Sequence, residues 1–244
     1  MRSMTTPAAP LAARLARLDW GTLAASLWER GHARSGKALL SARECAGLVA
    51  LYGDDSRFRS RIDMAPRRFG AGEYKYFARP LPPLVEELRL RLYERLAPAA
   101  NGWMEALGQS RRYPASLGEF LRACAKAGQA RPTPLLLRYE TGGYNCLHQD
   151  LYGEVAFPIQ AMIPLSRPGT DYTGGEFLLV EQRPRAQSAG EAILPARGEL
   201  VLFANRYRPS RGARGWFRVN VRHGASRILS GRRYALAIIF HDAQ

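Results

Sequence analysis

After Pro132 the chain breaks into short β-branched and aromatic runs closed by glycine or proline, with no helix-length amphipathic stretch between one run and the next. A parallel α/β sheet needs a crossover helix between strands, so this texture points to an antiparallel sandwich or barrel. The expected strands are Leu135–Tyr139, Phe157–Leu165, Glu176–Val180, Glu199–Phe203, Trp216–Arg222 and Tyr234–His241. Two connections, Arg183–Gly190 and Arg206–Gly215, are rich in arginine, glycine, serine or proline and read as flexible.

The first half is punctuated differently. Ser41-Ala42-Arg43-Glu44 is a capping box ahead of Leu48, Val49, Leu51 and Tyr52, with Gly53 as a stop, and Ser116-Leu117-Gly118-Glu119 repeats the signal ahead of Phe120, Leu121 and Cys124. Leu84, Leu88, Leu92 and Leu96 fall on one helical face, and Asp19 can open a helix carrying Trp20, Leu23 and Leu27. The expectation is a mainly helical region, 1–131, packed against a strand-rich region, 132–244, as one integrated α+β domain. A chain of 244 residues suffices to bury such a core.

Chemistry concentrates at His148-Gln149-Asp150. In an extended segment the first and third side chains share a face, so both can reach one ion. Among four histidines, His223 ends the expected strand Trp216–Arg222 and can complete the set. Two imidazoles and a carboxylate occupy one face of an octahedral Fe(II) and leave the other open for oxygen chemistry. Arg233 lies downstream, and its planar fork of donors suits an acidic co-substrate, while Arg232 should face the other way. His241 is an alternative third ligand, though a strand-end position also explains it. His32 in Arg30-Gly31-His32-Ala33 reads as a solvated turn residue.

The net charge of +15 fits a polyanionic partner, and fits equally a GC-rich coding bias, because lysine occurs only at 37, 75 and 126. Segment 57–79 interleaves arginines with Phe58, Phe69, Tyr74, Lys75, Tyr76 and Phe77 and is a candidate substrate lid. Tyr74, Lys75 and Tyr76 are its candidate contacts, and Gly70 and Gly72 its points of movement. The bland alternative is a loop that packs its aromatics on the barrel and leaves its charges in water.

Arg138-Tyr139 through Leu147-His148-Gln149-Asp150, together with Arg233-Tyr234-Ala235-Leu236, resembles the Fe(II)- and 2-oxoglutarate-dependent dioxygenase superfamily, most visibly the AlkB-type nucleic-acid demethylases. Leu137 and Ile239 stand where AlkB proteins usually carry an asparagine and a second arginine. The short His223-to-Arg233 interval and Gly174-Gly175-Glu176-Phe177 look more like prolyl-hydroxylase relatives. With Phe69–Phe77 and the closing Phe240-His241-Asp242-Ala243, the chain also resembles a little-characterised prokaryotic oxygenase family linked to damaged DNA.

The resemblance, spanning Leu135–Asp242, implies a double-stranded β-helix (jelly-roll) barrel. It implies Fe(II) held by His148, Asp150 and His223, and 2-oxoglutarate held by Arg233 with a hydrogen bond from Tyr139. O2 would be the oxidant and ascorbate an auxiliary reductant. The implied substrates are alkylated single- or double-stranded nucleic acid, or a prolyl side chain of a protein or peptide; a small metabolite is compatible, and a metal-independent nucleic-acid-binding module is the non-enzymatic alternative. Three scattered cysteines, Cys45, Cys124 and Cys146, suggest neither a disulfide framework nor a zinc site. Met1–Leu18 lacks the apolar core of a signal peptide and nothing reaches membrane-spanning length, so a cytoplasmic protein is expected.

Overall fold

The computed structural model describes residues 9–244; the first eight positions of the Met1–Leu18 segment lie outside the described residues. Helix α1 (Leu11–Ala16) leads into α2 (Trp20–Arg30), where the Asp19 carboxylate accepts from the Thr22 N–H. Strand β1 (His32–Ala38) and α3 (Ala42–Leu51) follow, and both arms of the Ser41/Glu44 capping box are formed. Next come β2 (Phe58–Asp63), β3 (Gly70–Ala71) and β4 (Glu73–Phe77), then the long α4 (Pro83–Ala106) and α5 (Leu117–Lys126). The second half is all strand: β5 (Leu135–Glu140), β6 (Tyr144–His148), β7 (Ile159–Pro164), β8 (Tyr172–Gly174), β9 (Phe177–Gln182) and β10 (Ala189–Ile193). It closes with β11 (Glu199–Ala204), β12 (Tyr207–Gly212), β13 (Gly215–Ala225) and β14 (Ile228–Ile238).

Two antiparallel sheets face one another. The larger runs β1-β11-β7-β14-β5-β4-β2 with β8 beside β14; the smaller runs β10-β9-β13-β6-β3 with β12 beside β13. Burial follows from position in this layering. Every residue of β7 and β11 is buried, because one face lines the barrel and the other is covered, which accounts for their unbroken apolar runs. By contrast β13 alternates, with Val219, Val221 and His223 inside and Arg218, Asn220 and Arg222 outside. Helix α4 buries Val85, Leu88, Leu92 and Leu96 in one cluster with Leu200, Leu202, Leu236 and Phe240, and burial of each such side chain is worth about 2 kcal/mol.

Several expectations change here. Segments of the first half that read as helix or lid form strands: β1 pairs with β11, β4 pairs with β5, and β3 pairs with β6. Gly70 and Gly72 serve close approach, since a Cβ at Gly70 would sit 2.3 Å from the Tyr144 carbonyl oxygen and one at Gly72 2.7 Å from Tyr139 Cδ1. The connection 206–215, read as flexible, is largely the hairpin β12–β13. Arg233, which directly precedes the expected strand Tyr234–His241, lies within β14, which starts at Ile228. His32 is not solvated: it is buried, with Nε2 3.1 Å from Glu191 Oε1.

Candidate metal centre and active site

Strands β6 and β13 pair so that His148 lies opposite His223, and the chain leaving β6 turns to bring Asp150 against both. Asp150 Oδ2 lies 3.3 Å from His223 Nε2, and Asp150 Oδ1 lies 3.6 Å from His148 Nε2. One donor atom from each of the three residues falls within 4.8 Å of the others, a grouping that could hold a metal ion.

The surroundings fix these donors. Asn205, just beyond β11, accepts from the Asp150 N–H at 3.0 Å and donates to the Asp150 carbonyl at 2.8 Å, pinning the backbone. The Tyr152 hydroxyl donates to Asp150 Oδ1 at 2.7 Å, and His148 Nδ1 lies 2.8 Å from the Cys146 carbonyl, which leaves Nε2, the nitrogen turned toward Asp150, available as a donor to an ion. Burial works to raise the Asp150 pKa, but His223, His148 and the Tyr152 hydroxyl outweigh it and hold the carboxyl well below the usual range. Burial also lowers the pKa of His223, against the pull of Asp150, and so favours the neutral imidazole that a metal requires.

The triad lines a cavity of about 420 Å³ between the sheets. On the opposite wall Arg233 faces Tyr139 across β14 and β5, its guanidinium 5.6 Å from the ring centre. Arg233 is 3% exposed and its Nε has no partner, whereas neighbouring Arg232 points outward and pairs with Glu140 at 3.0 Å. No ion pair involves Arg233 among the described residues. A permanently charged fork buried without a carboxylate is costly unless a ligand supplies one. Burial pushes the Tyr139 phenol up to about 12, keeping it a neutral donor. Gln160, also buried in the cavity wall, leaves Nε2 without a partner. The donor set and the free guanidinium thus fit a divalent iron with a dicarboxylate beside it.

The other sequence candidates separate. Tyr74 lines the cavity, and Tyr76 packs against it and against Tyr152. Lys75 is turned to the opposite face of β4, as strand alternation demands, and donates to the Tyr52 carbonyl at 2.8 Å and to Asp55 at 2.5 Å, so it does not reach the cavity. His241 stands outside the triad, accepting from the Phe157 N–H at 3.2 Å. Sequence reasoning missed Tyr152, Asn205 and Gln160. The lone signal for Asn205 is an amide directly after the apolar run Leu200–Ala204.

A model of the family described as "Oxygenase, catalysing oxidative methylation of damaged DNA" matches residues 72–243. The chain belongs to this oxygenase family. The oxygenase is 53% identical over 167 residues to an uncharacterized protein of Mycobacterium tuberculosis, a stretch covering 68% of this chain and 72% of that relative. Its fold is similar to that of a Pseudomonas putida prolyl-4-hydroxylase, with a TM-score of 0.55 at 16% identity over 92% of this chain and 99% of the other. It is also similar to a Burkholderia pseudomallei oxidoreductase of the 2OG-Fe(II) oxygenase family, with a TM-score of 0.50 at 16% identity over 98% and 95% of the two chains. These likenesses identify the fold as the double-stranded β-helix of 2-oxoglutarate- and iron(II)-dependent enzymes. Among the described residues no helix of this oxygenase is long and apolar enough to cross a membrane.

Proposed function

We propose that the protein is an Fe(II)- and 2-oxoglutarate-dependent dioxygenase that oxidatively demethylates alkylated nucleic acid. The observation that carries this reading is the pairing of the His148/Asp150/His223 triad with a buried, unpaired Arg233 in one cavity. His148, Asp150 and His223 hold the iron; Arg233 takes the distal carboxylate of 2-oxoglutarate, and the Tyr139 hydroxyl donates to the same molecule. When bound, iron and 2-oxoglutarate together supply the O2-derived oxidant that turns a substrate C–H into C–OH as 2-oxoglutarate becomes succinate and CO2. On an N-methyl group the hydroxylated carbon leaves as formaldehyde.

The chain's own share is orientation and exclusion of water. Tyr152 and Asn205 hold Asp150 still. Part of segment 57–79 borders the cavity mouth: Arg68 and Phe69 join Leu147 and Leu151 on its rim, with Phe69, Leu147 and Leu151 exposed. The Phe69 carbonyl accepts from the Cys146 N–H at 2.9 Å, so the rim is fastened to the strand that carries His148. Arg68 adopts a left-handed φ of 60°, a conformation costing a non-glycine residue about 1 kcal/mol. An exposed aromatic beside a cation suits an unstacked base and its phosphate, and the family's description in terms of damaged DNA supports the same substrate class. Free thiols at Cys45, Cys124 and Cys146 suit a reducing cytoplasm.

The test is succinate formation by wild type and Asp150→Ala under air with Fe(II) and ascorbate, with and without a methylated single-stranded oligonucleotide. Wild-type turnover that the oligonucleotide stimulates, with formaldehyde released and Asp150→Ala inactive, is the expected result. Turnover stimulated only by proline-containing peptides would replace the nucleic-acid substrate with a prolyl one, and no turnover by iron-loaded wild type would remove the reading altogether.

A further inference from the structure

The β12–β13 hairpin carries Arg206, Arg211, Arg214, Arg218 and Arg222 at or beside its strands, all exposed and none in an ion pair among the described residues. We propose that this hairpin, on the outer face of the smaller sheet, is a track that holds the phosphodiester backbone of the nucleic acid outside the cavity. The proposal rests on the nucleic-acid reading above.

Sheet alternation sets the chemistry of that face. Arg218, Asn220 and Arg222 point outward from β13, and the residues opposite Asn220, Tyr207 on β12 and Gln182 on β9, share their side. Both carboxylates on β9 and β10 lie on the other side. Glu181 is opposite the buried Val221 and engages Arg208; Glu191 is opposite the buried Leu179 and engages Arg30 and His32. No carboxylate therefore neutralises the outer face from within the sheet. On the larger sheet, by contrast, exposed Arg61 and Arg232 have Glu73 and Glu140 as partners. Coding bias accounts for a surplus of arginine, but not for its segregation from glutamate across one sheet.

The guanidinium groups are also held in place. Arg206 and Arg218 both lie over the Tyr207 ring, at 6.0 and 5.3 Å, and Arg211 lies over exposed Trp216 at 5.9 Å. A cation–π contact at these distances restrains each guanidinium without using a carboxylate, so its charge stays available to phosphate oxygens. Arg218 and Arg222 are separated by about 13 Å along the strand, at some 3.3 Å per residue, enough to engage more than one phosphate.

The track also meets the site. Gln149, between two triad residues, donates from Nε2 to the Arg206 carbonyl at 2.9 Å and the Val221 carbonyl at 2.8 Å. Arg222 immediately precedes His223. The face that carries the arginines is thereby fastened to the segment that holds His148 and Asp150, and nucleic acid whose base enters the cavity has to pass round this segment to lay its flanking phosphates on the hairpin.

The test uses the full-length protein, wild type and Arg218→Gln/Arg222→Gln, and follows binding of a labelled methylated single-stranded oligonucleotide by anisotropy across a salt series. Each lost phosphate contact should flatten the log Kd against log salt slope by about 0.7, so the double variant should lose roughly 1.4 from the slope and bind several-fold more weakly, whatever the sequence. Succinate formation without oligonucleotide should match wild type. An unchanged slope and affinity in the variant would overturn the track while leaving the demethylase reading intact; a wild type that neither binds nor is stimulated by the oligonucleotide would remove that reading and the track with it. Equal weakening toward a poly-glutamate peptide would reassign the face to an acidic protein and overturn the phosphodiester assignment.

Discussion

His148 and His223 are register partners on adjacent antiparallel strands, with ring centroids 4.3 Å apart and the Asp150 carboxylate within 3.6 Å of both. Two imidazoles at that separation are stable together when neutral, and burial keeps His223 so. Removing the carboxylate leaves two neutral donors and no charge to hold a cation. Asp150→Ala should therefore cost more than the ~10–100-fold that deleting an outer hydrogen-bond partner typically costs a metal site. Anaerobic titration with Fe(II), using Co(II) as a spectroscopic substitute, reads this directly; affinity within tenfold of wild type would show that Asp150 is not a ligand.

Arg233 sets stability against function. In the ligand-free protein its charge is buried with Tyr139 as a cation–π neighbour and no carboxylate, so Arg233→Met should raise the thermal midpoint. The same change should abolish stabilisation by 2-oxoglutarate, which for wild type amounts to about 2.7 kcal/mol at a hundredfold excess over Kd. Equal thermal shifts on adding 2-oxoglutarate to both proteins would place the co-substrate elsewhere.

The grouping of His148, Asp150 and His223 with Arg233 was legible because histidine is scarce and His-x-Asp is compact, because β13 alternates up to His223, and because Arg233 adjoins the unbroken apolar run Tyr234–Phe240. Strands β2 and β4 were not, since Arg59, Arg61, Glu73 and Lys75 interrupt their apolar residues and Phe58–Asp63 has the composition of a loop; the larger sheet supplies the backbone partners that composition does not reveal, and Glu73 and Lys75 are buried there. The same cause hid the β12–β13 hairpin, whose arginine, glycine and proline content resembles a flexible connection. His32 misled because the glycine before it does mark a turn, with Gly31 left-handed at φ 72°, yet the turn feeds directly into β1 and buries the imidazole. Tyr152 and Asn205 act on Asp150 through contacts that only the folded chain creates.

Tyr152 is a positioning residue: its hydroxyl contacts Asp150, while its ring packs beside Tyr76 and His241. Tyr152→Phe keeps the packing and removes the donor. Metal affinity should fall about 10–100-fold, with the thermal midpoint of the metal-free protein moving by only a degree or two. Should affinity stay at the wild-type value while the fold loosens, the hydroxyl is structural only.

Arg89, on α4, is buried and donates to Asp242 Oδ1 at 2.7 Å and to the Phe240 carbonyl at 2.8 Å, clamping the helix to the chain beyond β14. Arg89→Met leaves Asp242 with only the half-exposed Arg79 and should cost about 3 kcal/mol, whereas Arg79→Met, at the solvent edge of the same cluster, should cost under about 1 kcal/mol. Urea unfolding of the two variants gives the comparison, and similar losses would mean that burial of Arg89 confers no special weight.

His241 gives the fold a pH dependence with a defined sign. Burial, partly opposed by the nearby Asp150 charge, lowers its pKa from the usual 6.5 to about 4, and its Nδ1 accepts from the Phe157 N–H, a bond that protonation would break. Between those two values the unfolded chain binds the proton more readily than the folded one. The contribution is therefore complete above pH 6.5, declines as pH falls toward 4 and changes no further below it; at most it amounts to about 3 kcal/mol. Glutamine at this position can offer Phe157 an uncharged oxygen. Stability measured by denaturant at pH 7 and pH 5 should accordingly fall less for His241→Gln than for wild type, even though other buried groups titrate in both, and parallel losses would show that His241 binds its proton equally well in the folded and unfolded chains.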